Sequence, residues 1–379
     1  MPRVLFLQGT DPAAYPPLIN AGMLMAEAGW EVTYLSAPMT DLPLAMAAHP
    51  LITIRAIPAR PSHVMRKSDY LAYLAHTGRL ALRLRPQVVY ASDPLGAGSG
   101  LLAARLTGAT LVYHEHDPPP PGDGPLHWFR RAAARSAKLV IFPNAARAQL
   151  AQAEIDFPPE RLRIVWNMPR VAELPTLSSP PAFPLLLYYH GSITPDRVPE
   201  VIVPTLASFG GRVRLRMAGY EAPGKRGFLT RLCAATGLID YLGLIERDVL
   251  LASAARNHVG LACVPLGSVD TTMAHLAGAS NKAFDYMAAG QALLVSDLPE
   301  WREMFTAPGY GLACDPGSAE SLRSAIGWML DHPDERYAMG QRGRSKIETD
   351  WNYDAGFAPI IDELSRTVGG EGPPRASQS

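Results

Sequence analysis

The sequence predicts an α/β protein built from two Rossmann-like, doubly wound domains that face a cleft. Short apolar runs alternate with longer helix-like stretches along the 379 residues. The alternation stops in a segment rich in proline and serine, residues 170–184, and then starts again. Strands that alternate with helices form parallel sheets with right-handed crossovers, and a chain of this length can form two separate cores. We therefore expect one domain on each side of that segment.

The first half begins with a buried strand at residues 4–7 and a helix that ends near Gly29. Short continuous apolar runs are typical of parallel strands covered on both faces, and apolar residues at helical spacing indicate helices. The further strands are expected at residues 31–35, 51–57, 88–91, 110–113, 139–142 and 163–166, and the helices at 18–28, 68–84, 96–106, 126–136 and after Asn144. The loop after the first strand lacks the full G-x-G-x-x-G pattern, so no dinucleotide is assigned there.

Four titratable residues follow the predicted strand at residues 110–113, and they are His114, Glu115, His116 and Asp117. Ligands of open α/β sheets bind beyond the carboxyl ends of the strands. The cluster is therefore a functional candidate, and the alternative is a loop whose side chains only bond one another. A closed metal site is disfavoured, because these residues are too clustered to surround an ion on their own.

The second half repeats the same alternation from residue 185 onward. Its strands are expected at residues 185–189, 214–218, 239–243, 259–264 and 292–295, and its helices at 199–209, 225–236, 246–256, 281–289, 318–330, 334–349 and 351–364. A small, polar end at residues 368–379 cannot bury enough apolar surface to fold and is expected to be disordered.

The helix predicted at residues 281–289 is the centre of the second half. Ser280 or Asn281 can cap its start, because a short polar side chain accepts from the free N–H groups of the first turn. Gly290 follows the last periodic residue and suits a C-terminal cap. One apolar stripe is predicted from residues at helical spacing, namely Phe284, Met287 and Ala288.

Two charged residues, Lys282 and Asp285, lie in the first two turns of this helix. A helix start carries free N–H groups and partial positive charge, so it attracts phosphate. A carboxylate slightly further along can accept two hydrogen bonds from a ribose diol. The alternative interpretation is a capped core helix with a solvated Lys282 and Asp285.

Composition excludes several classes of protein. The 35 basic and 35 acidic side chains cancel, so no overall field favours nucleic acid. Three scattered cysteines, Cys233, Cys263 and Cys314, argue against a disulfide scaffold and fit a reducing compartment. No apolar stretch approaches the ~20 residues that span a bilayer. The sequence thus predicts a cytoplasmic protein.

Contact with the inner face of the membrane is left open by one basic segment. Arg79, Arg83 and Arg85 lie at the end of the helix predicted at residues 68–84. They are interpreted either as a solvated helix end that the dipole favours, or as a docking surface for an anionic acceptor or a lipid headgroup.

Four stretches of the second half resemble the donor-binding half of glycosyltransferase family four, whose members are retaining enzymes of the GT-B fold. They are YHGSITPDR at residues 189–197, MAGY at 217–220, YLGLI at 241–245 and, most specifically, SNKAFDYMAAG at 280–290. The resemblance covers residues 185–350 well. It is weaker in the first half, where residues 29–32 and 114–117 fit the general plan.

The resemblance implies a role for each matching residue. Asp285 stands where the family has a glutamate that contacts the nucleotide ribose, and Arg197 holds the place of a cation that contacts the diphosphate. The N–H groups at residues 280–283 would receive the distal phosphate, and the tip at residues 243–245 would border the base. The implied donor site consists of Gly191, Ser192, Arg197, Gly219, Gly243, Leu244, Ser280, Asn281, Lys282 and Asp285.

The resemblance also places the histidines of the first half opposite the donor sugar. The implied catalytic residues are His116, His114 and Arg197, and the spacing does not choose between the two histidines. Three positions depart from the family pattern. Ala277 replaces an acidic residue eight positions before Asp285, Ser192 replaces an arginine, and Asp285 itself is shorter than glutamate.

The resemblance completes the predicted domain organisation. Residues 1–177 form an acceptor-side domain, to which a helix at residues 351–366 returns. Residues 178–350 form the donor-binding domain, and residues 367–379 form a disordered tail.

The implied function is retaining transfer of a sugar from a nucleoside diphosphate sugar to an acceptor hydroxyl, in surface polysaccharide or glycoconjugate synthesis. The acceptor would be a saccharide, a lipid-linked molecule or a small molecule. No metal and no cofactor beyond the co-substrate are expected. Two alternatives stay open. One is a silent nucleotide-binding homologue or partner subunit, which Ala277 would mark. The other is a nucleotide-sugar epimerase that uses His114, Glu115 or His190 as acid and base.

Overall fold

The chain folds into two compact units in a computed structural model. The first unit comprises Met1–Asn167 and Tyr353–Ser379, and the second comprises Met168–Asn352. The structure describes residues 1–37, 48–57, 67–119, 122–177, 180–222, 225, 227–268 and 270–370, without the side chains of Asp248 and Thr271. The first boundary therefore follows Asn167 rather than residue 177.

The first unit is built on a seven-stranded parallel sheet with the strand order β3-β2-β1-β4-β5-β6-β7. Its strands are β1 (Arg3–Gln8), β2 (Glu31–Ser36), β3 (Ile52–Ala56), β4 (Val88–Ser92), β5 (Thr110–His114), β6 (Leu139–Phe142) and β7 (Leu162–Ile164). Its helices are α1 (Pro16–Glu27), α2 (Lys67–Leu84), α3 (Asp93–Thr107), α4 (Pro125–Ser136), α5 (Ala145–Ile155) and α14 (Tyr353–Gly369), which is numbered by its place in the chain.

Helices cover both faces of this sheet. Successive side chains of a strand point to opposite faces of the sheet, so each strand contributes side chains to the hydrophobic core on each face. Leu5 and Leu7 pack with residues of α2 to α5, whereas Val4 and Phe6 pack with residues of α1 and α14. Helix α14 therefore belongs to the first unit, although it follows the whole second unit in sequence.

The second unit repeats the plan on a six-stranded parallel sheet with the order β10-β9-β8-β11-β12-β13. Its strands are β8 (Leu185–Ile193), β9 (Val213–Glu221), β10 (Ile239–Tyr241), β11 (Val259–Ala262), β12 (Ala292–Ser296) and β13 (Gly311–Cys314). Its helices are α6 (Ile202–Ala207), α7 (Phe228–Ala234), α8 (Arg247–Ala254), α9 (Thr271–Ala274), α10 (Asn281–Ala288), α11 (Pro299–Trp301), α12 (Ala319–Asp331) and α13 (Pro333–Thr349). The predicted class, two Rossmann-like α/β domains, is confirmed.

Strands β8 and β9 run further than predicted. Gly191 and Ser192, expected in a loop, lie inside β8 and pair with Gly219 and Tyr220 of β9. The apolar run that predicted β8 ends at Tyr189. The backbone hydrogen bonds continue beyond it through polar and glycine residues, which the apolar pattern could not reveal.

Helix α10 differs from the prediction in two ways. All of residues 283–288 are buried, so the helix has no single apolar stripe, and it packs against β11, β12 and α13. Ser280 occupies the N-cap position, but its side chain makes no capping hydrogen bond. The predicted cap at Gly290 is confirmed, because the N–H groups of Gly290 and Gln291 bond back to Met287 and Tyr286.

Several element ends were wrong. Strand β7 stops at Ile164, and α6 is shorter than the helix expected at residues 199–209. Helix α14 continues to Gly369, so the predicted tail at residues 367–379 begins inside a helix. Residues 371–379 of that tail, and residues 178 and 179 of the predicted linker, lie outside the described residues. Of the helices in the described part of the chain, none is long and apolar enough to cross a bilayer.

Candidate active site

At the carboxyl end of the second sheet, two glycines in neighbouring strands allow close contacts that any larger residue would prevent. Gly191 and Gly219 have φ angles of +114° and +134°, a region that side chains disfavour. A Cβ on Gly219 would lie 1.9 Å from the carbonyl oxygen of Gly191. A Cβ on Gly191 would lie 3.2 Å from Nζ of Lys282. Glycine at these positions therefore lets the Lys282 ammonium rest over the strand end.

The environment of Lys282 makes its charge easy to lose. Burial, and then the nearby Arg197 cation, lower the pKa of Lys282 to about 7, while Asp285 acts in the opposite sense. The ammonium also lies 5.7 Å from the centre of the Tyr189 ring. An anion bound here would restore the full charge, because a nearby opposite charge favours the ionised form.

The start of α10 adds uncharged donors to these two cations. The Ser280 side chain leaves the first turn uncapped, and Nδ2 of Asn281 is buried without a hydrogen-bond partner among the described residues. Helix starts and oriented N–H groups bind phosphate. We call Gly191, Arg197, Ser280, Asn281 and Lys282 the cationic cradle, and the structure brings these five predicted residues together at one strand end.

Asp285 is not the open carboxylate that the sequence predicted. Its side chain is 0% exposed, and Nη1 and Nη2 of Arg247 donate to its two oxygens at 2.6 and 2.7 Å. Nε2 of His190 lies 3.1 Å from Oδ2. Burial alone would raise the pKa of Asp285, but Arg247 and His190 together hold it below its usual value. Asp285 is therefore buried against Arg247, and the ribose contact that the resemblance implies for it would have to reach a covered carboxylate.

Arg247 belongs to this site although the sequence pattern did not predict it. It is the first residue of α8, and its Nε donates to Oε1 of Glu173 at 2.8 Å. Oε2 of Glu173 accepts from the backbone N–H of Arg170. Sequence separation hid the contact, because an arginine at the start of a predicted helix carries no sign of a partner on α10.

The predicted base-bordering residues also come together. The N–H of Gly219 donates to the carbonyl of Gly243 at 2.8 Å, and the Tyr241 hydroxyl donates to the carbonyl of Gly219 at 2.7 Å. Four large apolar side chains are exposed around them, namely Tyr220, Tyr241, Leu242 and Leu244. A group of exposed apolar side chains is typical of a binding surface, and a planar base is a ligand that such a surface fits.

In the first unit, His114 and His116 lie side by side at the end of β5. Their rings are 3.9 Å apart, and Nδ1 of His114 is 2.6 Å from the hydroxyl of Tyr90. Burial lowers the pKa of His116 to about 4 and that of His114 well below its usual value, so both rings are neutral at pH 7. Both ring nitrogens of His116, and Nε2 of His114, are buried without partners in the described chain. His116 thus offers more unused hydrogen-bonding capacity than His114.

Glu115 has a structural position instead. Nε and Nη2 of Arg130 donate to its two oxygens at 2.6 and 2.7 Å, and the Tyr113 hydroxyl donates at 2.6 Å. The side chain is buried within these bonds. The predicted cluster therefore divides into two kinds of residue. The histidines keep buried ring nitrogens without partners among the described residues, whereas both carboxylates are paired, Glu115 with Arg130 and Asp117 with Arg147.

Asp93 is a second residue whose role the sequence pattern did not predict. It follows β4 with a φ of +59°, which is rare for a residue with a side chain. Its Oδ1 accepts from the backbone N–H groups of His116 and Asp117 at 2.7 and 3.3 Å. Burial, and then the charge of Asp117, raise the pKa of Asp93 to about 8. Its place at a predicted strand end, before Pro94, was the available signal.

We expect Asp93→Asn to stabilise the chain increasingly as pH rises from about 4 to about 8. The raised pKa means that folded Asp93 keeps a proton which the unfolded chain has already released in this interval, so wild-type stability falls with rising pH. Above about pH 8 the difference levels off. Thermal melting of both proteins between pH 5 and pH 9 measures this difference in stability. A difference in melting temperature that does not change with pH would contradict the raised pKa of Asp93.

These observations define a two-domain parallel α/β protein whose second domain carries a cationic cradle at its strand ends. Residues 23–167 match the family model of a glycosyl transferase 4-like domain, and residues 197–362 match that of a glycosyl transferase-like domain. The two matches together span most of the chain. The chain therefore belongs to the family-four type of glycosyltransferases, and its fold is the GT-B fold.

Solved structures show the same fold at low sequence identity. Sucrose-phosphate synthase from Thermosynechococcus elongatus is 15% identical, with a TM-score of 0.73 over 98% of this chain and 100% of that one. Anabaena HepE, in complex with UDP and glucose, is 13% identical, with a TM-score of 0.68 over 98% and 100%. A Listeria monocytogenes protein assigned as a UDP-N-acetylglucosamine 2-epimerase is 14% identical, with a TM-score of 0.66 over 98% and 97%. No curated protein matches the sequence.

Among the described residues, no three His, Cys, Asp or Glu side chains converge on a point that could hold an ion. Metal independence of the reaction stays a prediction.

Proposed function

We propose that this glycosyltransferase moves a sugar from a nucleoside diphosphate sugar to an acceptor hydroxyl with retention of configuration. The observation that carries the proposal is the cationic cradle. It combines Lys282 and Arg197 with the uncapped start of α10 and with the buried Nδ2 of Asn281, which has no partner in the described part of the chain. A diphosphate satisfies all of these groups at once.

The cradle has a use in the chemical step. Breaking the glycosidic bond leaves an oxocarbenium-like sugar and a diphosphate that gains negative charge. Fixed cations and oriented N–H donors stabilise that charge where it develops. Lys282 and Arg197 supply the cations, and the start of α10 supplies the N–H groups. His116, with His114, is the proposed sugar-side group of the first unit.

A UDP-sugar is the first donor to test. HepE is similar in fold and was solved with UDP and glucose, which supports this choice. The exposed apolar surface around Gly243 supports a base at the other end of the nucleotide. We further propose a saccharide, lipid-linked or small-molecule acceptor, in surface polysaccharide or glycoconjugate synthesis at the cytoplasmic side of the membrane. The exposed Arg79, Arg83 and Arg85 on and after α2 support an anionic acceptor or surface.

A panel of nucleotide sugars tests the function. Thermal-shift screening should select one donor, and that donor should be consumed faster with a pool of acceptor saccharides and lipid-linked sugars than with water alone. The product should keep the anomeric configuration, and turnover should persist in EDTA. Sugar interconversion without any acceptor would favour an epimerase. Binding without turnover, alone and with candidate partner proteins, would favour a silent homologue.

A further inference from the structure

We propose that Arg247, rather than Asp285, meets the ribose of the donor nucleotide, and that Asp285 only positions Arg247. The inference rests on the proposed function, because it concerns the same nucleotide. It assigns a specificity-determining role to an arginine that the sequence pattern did not single out.

Arg247 and Asp285 lie between the cationic cradle and the residues that would border the base. Along α10, Asp285 comes three residues after Lys282 of the cationic cradle, which is about 4.5 Å along the helix axis. Along the chain, Arg247 comes three residues after Leu244 of the base border. Arg247 and Asp285 are bonded to each other. The bonded pair therefore joins the segment that would hold the diphosphate to the segment that would border the base. A ribose joins the same two groups in a nucleotide.

Accessibility favours Arg247 within this pair. The Asp285 side chain is 0% exposed, whereas the Arg247 side chain is 27% exposed. Because Asp285 has no exposed surface, a ribose hydroxyl could reach it only if a side chain that covers it moved aside, and separating the partners of a buried ion pair is strongly unfavourable. His190 holds Asp285 from another direction at 3.1 Å. A ligand thus meets the guanidinium first.

Arg247 also keeps donors for a ligand. A guanidinium has five N–H groups, and the structure records three bonds, one to Glu173 and two to Asp285. One N–H therefore remains on each Nη atom. These two N–H groups lie on opposite edges of the guanidinium and point in different directions, so a ribose hydroxyl would accept from one of them. Glu173 and Asp285 already fix the plane of the guanidinium, so binding costs little further ordering.

Deoxynucleotides test this inference. The probes are UDP, 2′-deoxy-UDP and 3′-deoxy-UDP, titrated calorimetrically into the full chain. We expect the wild-type protein to bind UDP about tenfold or more tightly than at least one of the two deoxy forms, because a lost charge-assisted hydrogen bond weakens binding. In Arg247→Met the three affinities should converge. Arg247→Lys keeps the charge without the fork and should retain only part of the preference.

Arg214→Met is the matched control. Arg214 forms a partly exposed pair with Asp240 in the same unit, at 2.7 Å from Nη2 to Oδ1, and should leave the UDP to deoxy-UDP ratio unchanged. Circular dichroism melts confirm that each variant folds, and Arg247→Lys provides the readout if Arg247→Met does not.

Two results would overturn the role of Arg247, and a third would overturn the proposed function on which that role rests. A deoxy preference that survives both Arg247 substitutions would assign the ribose to another group. Tighter UDP binding by Arg247→Met would show that Arg247 obstructs the carboxylate. A wild-type chain that binds none of UDP, GDP, ADP and CDP would instead refute the proposed function, and the inference with it.

Discussion

Asp285→Ala is expected to lower the opening free energy of the second unit around α10 by about 3 kcal/mol, at the lower end of the range for breaking a buried pair. The substitution leaves the Arg247 guanidinium and the His190 ring without their shared acceptor. Arg247 keeps partial access to water, which holds the cost near the lower end. The same change should weaken nucleotide binding at least tenfold, because Arg247 loses its orientation.

Hydrogen exchange of peptides that cover residues 281–288 measures this loss directly. Global unfolding is a poorer readout, because two units need not unfold in one step. Asp240→Ala is the control, since it removes the partner of Arg214 at a partly exposed site and should cost no more than about 1 kcal/mol. Equal protection of α10 in both variants would contradict the view that Asp285 anchors a buried network.

The lowered pKa of Asp285 determines how the contribution of this network to stability changes at acid pH. Arg247 and His190 hold the pKa of folded Asp285 below its usual value of 3.8. Its stabilising contribution is therefore fully present above about pH 4 and is lost as pH falls through the lowered pKa. The advantage of the wild-type chain over Asp285→Asn should shrink only below that pH.

The sequence predicted what depends on local pattern. Strands such as β1 and β12 contain continuous apolar runs of four residues, and α10 is followed by a glycine that ends it. Lys282 could be assigned because it lies in the first turn of that helix, where phosphate chemistry has a local cause.

What could not be predicted depends on contacts between distant segments. Arg247 lies 38 residues from Asp285 and 74 from Glu173, and nothing in either neighbourhood marks the pairing. The opposite error arose for Glu115, whose place in a polar cluster suggested chemistry while its actual partner, Arg130, lies on α4. Burial decides both cases, since a buried carboxylate must find a cation or lose its charge.

Lys282→Met is expected to weaken nucleoside diphosphate binding by about 10- to 100-fold, because one charge-assisted hydrogen bond contributes roughly 1.5–3 kcal/mol. The uncharged chain replaces an ammonium that rests over Gly191 in the cationic cradle. Isothermal titration with UDP measures the change. Lys138→Met, which removes an exposed lysine of the first unit, is the control and should bind as the wild-type chain does.

The pH dependence of binding then separates Lys282 from the titration of the nucleotide itself. With a pKa of about 7, Lys282 is charged in the free protein below pH 7 and progressively neutral above it. Wild-type affinity for UDP should therefore fall between pH 7 and pH 9, with proton uptake on binding. Lys282→Arg stays charged throughout and should flatten that fall, whereas ionisation of the phosphate affects both proteins alike. Equal slopes in the two proteins would show that Lys282 does not contact the diphosphate.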